Sequence, residues 1–395
     1  MMIYLDNNAT TKTDEHVLET MLPYFTEEYA NPSSIYDFSK KASRAVKEAR
    51  GVIKDFINAK DEKEIIFTSC GSESANTAIK GVLNYNKAKK HIITTKVEHP
   101  CVLNLYKSLE KQGYKVDYIS VNSNGDLDLE ELDCAITPET ALVSVMWANN
   151  ETGVINPIKK ISEIIKSKNP DTKLFVDAVQ VAGKIPIDVQ ENGIDLLGIS
   201  GHKFHAPKGI GALYVNSKTM ITPLIIGGHQ ERGKRAGTEN VPYIVGMAKA
   251  AELAQNALDF ELTEVKRLRD KLETTLLKNI YNARLNTAVT NRVPNTTNIG
   301  FEYVEGELIL LHMSDLGICA SSGSACTSGS LEPSHVLRAM NVPFTAIHGS
   351  IRFSLSRYTT EKEIDYVCEK MPQIIEKITA ISPFQDELAA LKARK

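Results

Sequence analysis

Apolar residues Val17, Leu18, Met21, Leu22 and Phe25 recur at the spacing of a helix. A longer stripe follows: Phe38, Ala42, Val46, Ala49, Ile53, Phe56 and Ile57. From there, short apolar runs alternate with helical stretches. Strands are predicted at 64–68, 91–95, 116–121, 141–147, 174–177, 196–199 and 210–215, with helices at 74–83, 102–109 and 158–165. The runs are apolar at successive positions, as in strands buried on both faces. This alternation predicts an α/β fold, a mostly parallel sheet covered by helices on both sides.

Near Pro242 the pattern changes. One long helical span is predicted from there to about Asn279, with a charged stretch at 264–273. A strand at 298–301, a helix at 305–315, a Ser/Gly-rich loop, a strand at 350–354 and a helix after Thr360 follow. Residues 388–395 read as a frayed helix end. The change of texture places a boundary near 255–265, between a large α/β domain and a smaller α+β domain.

Composition narrows the function classes. The 395 residues are 42% hydrophobic and 24% charged, ordinary for a soluble globular chain. Lys plus Arg is 46 and Asp plus Glu is 49, a net charge of −3, which argues against a nucleic-acid face. No run of about 18 apolar residues is present to span a membrane. The start lacks a basic segment followed by an apolar one, so a cytoplasmic location with reduced cysteines is expected. The six cysteines, at 70, 101, 134, 319, 326 and 368, are too few for a disulfide scaffold, and none sits in a CxxC pair, which weakens a zinc or thioredoxin-like reading.

Several clusters fall just beyond strand C-termini, where such a sheet places its site. Cys70-Gly71-Ser72-Glu73-Ser74 opens a helix and offers an anion cradle, or else a plain N-cap with a turn glycine. His99, in Glu98-His99-Pro100, can stack on a flat ring or move a proton, or serve the loop itself. Asn149-Asn150 can orient a polar ligand or form a turn. Asp177 closes an apolar strand, where a buried cation or a cap must offset its cost. Lys203, in Ser200-Gly-His-Lys203, follows an apolar strand into an expected desolvated pocket suited to Schiff-base chemistry; an ordinary surface lysine is the other reading. Arg352, amid apolar neighbours on a strand, suits a substrate carboxylate or a structural ion pair.

Ser321-Ser-Gly-Ser-Ala-Cys326-Thr-Ser-Gly-Ser330 differs from all of these. Every residue in it except the cysteine is small or hydroxyl-bearing. Cys326 is therefore the reactive-thiol candidate, while the other five cysteines are expected to pack as small buried hydrophobes. Gly228-His-Gln-Glu-Arg-Gly233-Lys234 resembles a Walker loop, but Arg235 stands where Ser or Thr must reach magnesium, so it is discounted.

Together these clusters suit one cofactor, pyridoxal phosphate. From Tyr4-Leu-Asp-Asn-Asn-Ala-Thr-Thr11 to Ile351-Arg-Phe-Ser-Leu-Ser-Arg-Tyr-Thr-Thr360, the chain resembles the cysteine desulfurases. These are NifS/IscS-like members of the class V aminotransferase group of fold-type I pyridoxal-phosphate enzymes. Trp147-Ala-Asn-Asn-Glu-Thr-Gly153 and Gly227-Gly-His-Gln-Glu-Arg232 look closest to the NifS branch. The resemblance implies a seven-stranded, mostly parallel sheet in a large domain at 14–260. It implies a small α+β domain from 1–13 and 261–395 that carries a catalytic cysteine loop at about 321–332.

The resemblance also implies roles. Lys203 carries the cofactor and moves protons, and His99 stacks on its ring. Asp177 pairs with the ring nitrogen and Gln180 with the phenolic oxygen. Gly71, Ser72, Ser200 and His202 hold the phosphate, with Ser72 standing where most relatives have threonine. Thr238 reaches the phosphate of a second subunit, which implies a homodimer. Arg352 binds the carboxylate of L-cysteine, with Asn150 and Asn31 nearby. Cys326 takes the sulfur as a persulfide, L-alanine leaves, and an iron–sulfur scaffold protein (NifU/IscU-like) accepts the sulfur. No resident metal is implied; Cys326 alone would contact an iron–sulfur cluster during transfer. A selenocysteine lyase or cysteine sulfinate desulfinase shares this fold and cofactor, and a non-catalytic sulfur carrier would need Cys326 alone. The Ser/Gly loop around the cysteine favours the persulfide-forming enzyme.

Overall fold

Seven strands build one sheet in the order Ile65–Thr68, Gly211–Val215, Leu196–Ser200, Lys173–Asp177, Thr140–Met146, His91–Thr95 and Lys115–Ile119. The structure is a computed structural model and describes residues 2–287, 289–322 and 333–394. Gly211–Val215 runs antiparallel to both neighbours, and the other four pairings are parallel. The mostly parallel sheet expected from the sequence is present.

The strands read as unbroken apolar runs because both faces are covered. Ile65 and Phe67, Val143 and Val145, Leu174 and Val176, and Leu197 and Ile199 enter one core, packed by helices Lys40–Phe56, Ile158–Lys168 and Val241–Asn256. The alternate residues Ile66, Leu142, Phe175 and Leu196 enter another, packed by helices Gly71–Tyr85 and Pro100–Glu110. The period of two along each strand thus divides one apolar run between two cores.

The smaller C-terminal unit has an antiparallel sheet, ordered Ser321–Ser322, Ser350–Ser354, Thr296–Phe301 and Ala283–Leu285. Helices Lys266–Asn279, Gly306–Asp315 and Glu361–Ala380 pack on it through a core holding Leu272, Ile309, Phe353 and Ile374. Ile3 and Leu5 belong to that core, and strand Ile3–Tyr4 pairs in parallel with Ile318–Cys319. The N-terminal segment then crosses back to the large sheet. Asn8 Nδ2 donates to Thr296 Oγ1 at 2.8 Å, and Thr11 N donates to His202 O at 3.0 Å.

Some elements differ from expectation for local reasons. The stripe at 17–25 splits into Glu15–Met21 and Pro23–Thr26, because Pro23 has no N–H to continue the first helix. The helical span after Pro242 is interrupted after Asn256 and carries a π-helical segment at Glu261–Val265. Helix Leu129–Ala135, absent from the pattern read above, buries Leu132, packs Leu129 and Ala135 partly buried against the same core, and starts at Asp128, whose side chain accepts from Glu130 N and Glu131 N. The expected frayed end is a ten-residue helix, Gln385–Arg394. The discounted glycine loop is an irregular turn. Glu231 and Arg232 there have φ of 47° and 58°, held by a buried Arg50–Glu231 pair at 2.6 Å.

Candidate active site

Four elements converge on a cavity of about 210 Å³ at the C-terminal ends of the parallel strands. Helix Gly71–Tyr85 points its N-terminus into it. Cys70, the N-cap, makes no side-chain bond to the first turn, so the leading backbone N–H groups remain as donors for an anion. Gly71 sits there because an added Cβ would lie 2.9 Å from Val179 Cγ2. Opposite, Ser200 ends its strand with a buried Oγ that has no hydrogen-bond partner. His202 follows, its Nδ1 3.1 Å from Thr10 Oγ1. Burial, reinforced by the charge of Lys203, pushes His202 down to about 4, so its ring is neutral near pH 7. Two of these features are unused hydrogen-bonding capacity around a space, as an anionic end of a ligand requires.

The other end of the cavity carries Asp177 and His99. Asp177 ends strand Lys173–Asp177 and accepts from Val179 N at 3.0 Å. Burial drives its carboxyl above the usual range, while the charges of His99 and Lys203 oppose the rise. His99 is the N-cap of Pro100–Glu110, and its Nδ1 accepts from Cys101 N at 3.2 Å. That bond leaves the proton of the neutral ring on Nε2. Burial lowers the pKa of His99. Each of the two residues thus bonds a backbone N–H at the start of the segment that follows and also lines the cavity.

Lys203 is half-buried, and its Nζ donates to Asn8 O at 2.6 Å and Ala9 O at 2.7 Å. The dry pocket expected for this amine is therefore a polar one, furnished by two carbonyls of the crossing N-terminal segment. The Asn149-Asn150 pair divides its work. Asn149 Oδ1 accepts from Glu151 N and Thr152 N to make the turn, whereas Asn150 lines the cavity. Gln180 also lines it.

Gly71, Ser72, His99, Asn150, Asp177, Gln180, Ser200, His202 and Lys203 are thus brought together. Arg352 is buried behind Asn150, not in the cavity wall. It donates to Asn150 O at 3.0 Å and pairs with Asp6 Oδ1 at 2.6 Å, and its Nε has no partner. Asn31 is exposed outside the cavity, and its Oδ1 accepts from Ser33 N. Thr238 is likewise exposed and outside the cavity. Cys326 lies outside the described residues, as does the loop from 323 to 332.

The other cysteines correct the expectation of five buried packers. Cys134 is exposed, the other four are partly exposed, and Cys70 and Cys101 line the cavity. Sequence reasoning also passes over Glu98, the residue before His99. It is fully buried, and its pKa is pushed up to about 8 by burial, with the charge of Asp177 adding to the rise. The only sequence signal for it is a charged residue between an apolar strand and a helix-starting proline. Among the described residues, no group of three or more His, Cys, Asp or Glu is placed to hold a metal ion. No described helix is long and apolar enough to cross a membrane.

Residues 3–367 match the aminotransferase class-V family. A cysteine desulfurase of Nostoc sp. is 57% identical over 395 residues, covering 100% of this chain and 98% of that protein. The cysteine desulfurase NifS of Azotobacter vinelandii is 50% identical over 382 residues, covering 97% and 94%. A solved structure of a NifS-like protein superposes with a TM-score of 0.90 at 40% identity, covering 95% of this chain and all of that one.

Proposed function

The chain belongs to the aminotransferase class-V family and is a pyridoxal-phosphate-dependent cysteine desulfurase, and on that premise we propose the residues that perform each part of the reaction. The cavity fits the cofactor. The uncapped helix start at Gly71-Ser72, the partnerless Ser200 Oγ and His202 suit a phosphate; Asp177 suits a protonated ring nitrogen. The observation that carries the reading is this pairing of donors at one end with a buried carboxylate at the other. When bound, pyridoxal phosphate supplies an electron sink for the bonds around the substrate's Cα.

The chain's own residues do the rest. Asp177 holds a proton on the ring nitrogen, at little solvent screening because it is buried. His99 covers the ring face, and Gln180 donates to the phenolic oxygen. Lys203 anchors the cofactor and then carries protons at the substrate Cα. Arg352, which donates to the backbone of cavity-lining Asn150, binds the carboxylate of L-cysteine, with Asn150 and Asn31 nearby. The thiolate of Cys326 attacks the substrate sulfur. An S–S bond forms, the C–S bond breaks, and its electron pair stays on carbon, which gains a proton as L-alanine departs. Both flanks of residues 323–332 attach to neighbours of cavity-lining residues, Arg352 beside Asn150 and Glu98 beside His99. Ser321 and Ser322 pair with Arg352 and Ile351, and His335 Nε2 donates to Glu98 O at 2.9 Å.

The proposal extends to a homodimer in which exposed Thr238 serves the second copy's phosphate. It extends to an iron–sulfur scaffold protein as sulfur acceptor, a cytoplasmic setting, and units divided as 14–260 against 1–13 with 261–395. The test is incubation with L-cysteine and a reductant, reading alanine, sulfide and the protein's mass. Cys326→Ala is expected to lose both the persulfide mass and alanine formation. Parent-rate alanine from that variant refutes the assignment of the nucleophile.

A further inference from the structure

Lys184 is the buried amine that the reaction above leaves unused. It is 5% exposed, and its Nζ donates to Gln180 Oε1 at 2.9 Å. Gln180 Nε2 in turn donates to Asn8 O at 3.1 Å, the carbonyl that also accepts from Lys203 Nζ at 2.6 Å. Two lysines are thus joined through one amide and one carbonyl, and the amide borders the cavity.

We propose that Lys184 is a positioning residue that acts through Gln180, fixing its amide so that an N–H rather than the carbonyl oxygen is offered to the phenolic oxygen of pyridoxal phosphate. This rests on the reading of the cavity given above. A primary amide has two N–H donors and one acceptor oxygen, and it can be turned end for end at little cost in shape. Here the reversed amide would set Oε1 against Asn8 O, acceptor against acceptor. It would also set Nε2 against the Lys184 amine, donor against donor. With Nε2 held toward Asn8 O, its second hydrogen is the one left to offer.

The local chain is built to bring the two residues together. Gly183, between them, has φ of +74°, and an added Cβ would lie 3.0 Å from both Ala254 Cβ and Phe204 Cβ. Lys184 and Glu261, from the π-helical segment, line the same small cavity with Lys203, His205 and Arg357. Burial pushes the Lys184 amine down to about 7, with the charge of Lys203 adding to the fall and Glu261 opposing it. The bond to Gln180 Oε1 survives that titration, because a neutral amine still has N–H groups to donate; its lone pair can also accept, so the donor-against-donor clash belongs to the protonated amine, and Asn8 O opposes the reversed amide in either state.

The test measures the dissociation constant of pyridoxal phosphate and the visible absorption band of the bound cofactor, in Lys184→Met, Gln180→Ala, the double variant and Lys184→Arg. One charge-assisted hydrogen bond corresponds to a loss of roughly tenfold or more in affinity. Lys184→Met and Gln180→Ala are each expected to show that loss with the same displacement of the band. The double variant is expected to be no weaker than Gln180→Ala, and Lys184→Arg to restore both readouts. Losses that multiply in the double variant, or a Lys184→Met protein with the parent's band and affinity, overturn the inference. Where Lys184→Met does not fold, Lys184→Gln, too short to reach, takes its place with the same expected losses. Lys203→Ala separates the two failures: if it too keeps the parent's band and affinity, the reading of the cavity is what fails.

Discussion

Glu98 allows a quantitative test of how the site is buried. Its Oε1 accepts from Met146 N at 2.7 Å and Thr95 Oγ1 at 3.0 Å, while Oε2 is buried with no partner. The unfolded chain releases this proton near 4.5 and the folded chain near about 8. Between those values the unfolded state binds fewer protons, so stability falls as pH rises. The favourable contribution is complete below about 4.5 and gone above about 8. At about 1.4 kcal/mol per pH unit, the interval corresponds to a loss on the order of 5 kcal/mol. Glu98→Gln is the matched perturbation, because its Oε1 keeps both bonds and its Nε2 mimics the neutral acid. Urea unfolding of parent and variant at pH 5, 6.5 and 8 is the assay. Asp177, Glu151 and Glu261 titrate in both proteins, so the difference between them reads Glu98 together with its coupling to the Asp177 charge. The variant is expected to match the parent near pH 5 and to exceed it by several kcal/mol at pH 8. A difference that stays constant with pH, or grows toward acid, refutes a buried neutral carboxyl at this position.

Three other substitutions probe separate parts of the structure. Arg50→Met strands Glu231 in the interior without its bidentate partner, and the unfolding free energy is expected to drop by about 3–5 kcal/mol in urea titration. A drop below about 1 kcal/mol would mean that the pair is solvated. Gly71→Ala brings a Cβ to 2.9 Å from Val179 Cγ2, an overpacking of about 1–3 kcal/mol. It is expected to appear as faster loss of pyridoxal phosphate on dialysis, with little change in secondary structure by circular dichroism. Arg352→Lys replaces a planar fork by a point charge, so KM for L-cysteine is expected to rise roughly tenfold or more while the cofactor band stays put. An unchanged KM would leave Arg352 with only its Asp6 and Asn150 contacts to explain it.

What the sequence discloses here depends on whether a feature is periodic, local or distant. The large sheet was legible because its strands are apolar on both faces, and residues such as Val143 and Leu142 simply face different cores. Asp177, Ser200 and Lys203 were legible because each stands where an apolar run stops, and polarity at that point needs a reason. Helix Leu129–Ala135 was not, because at seven residues its stripe of Leu129, Leu132 and Ala135 is less than two turns long and does not stand out from the polar residues around it. The carbonyls of Asn8 and Ala9 that hold Lys203 leave no trace in residue type, since every residue has a carbonyl. The Asp6 carboxylate that pairs with Arg352 is visible as a residue type, but its partner is not, being placed 346 positions away by the crossing of the N-terminal segment. Lys184 shows the limit most clearly. Four positions after Gln180 in an irregular turn, it has the look of any surface lysine. Only the left-handed Gly183 and the packing of Phe204 and Ala254 turn it inward. The residues that line the cavity are therefore marked by local chemistry. The residues that aim them are marked by the fold, through contacts between segments that no local pattern relates. It follows that Gln180 and Lys184 are to be read as a unit: the first was visible from its motif, and the direction in which its amide faces was visible only from the second.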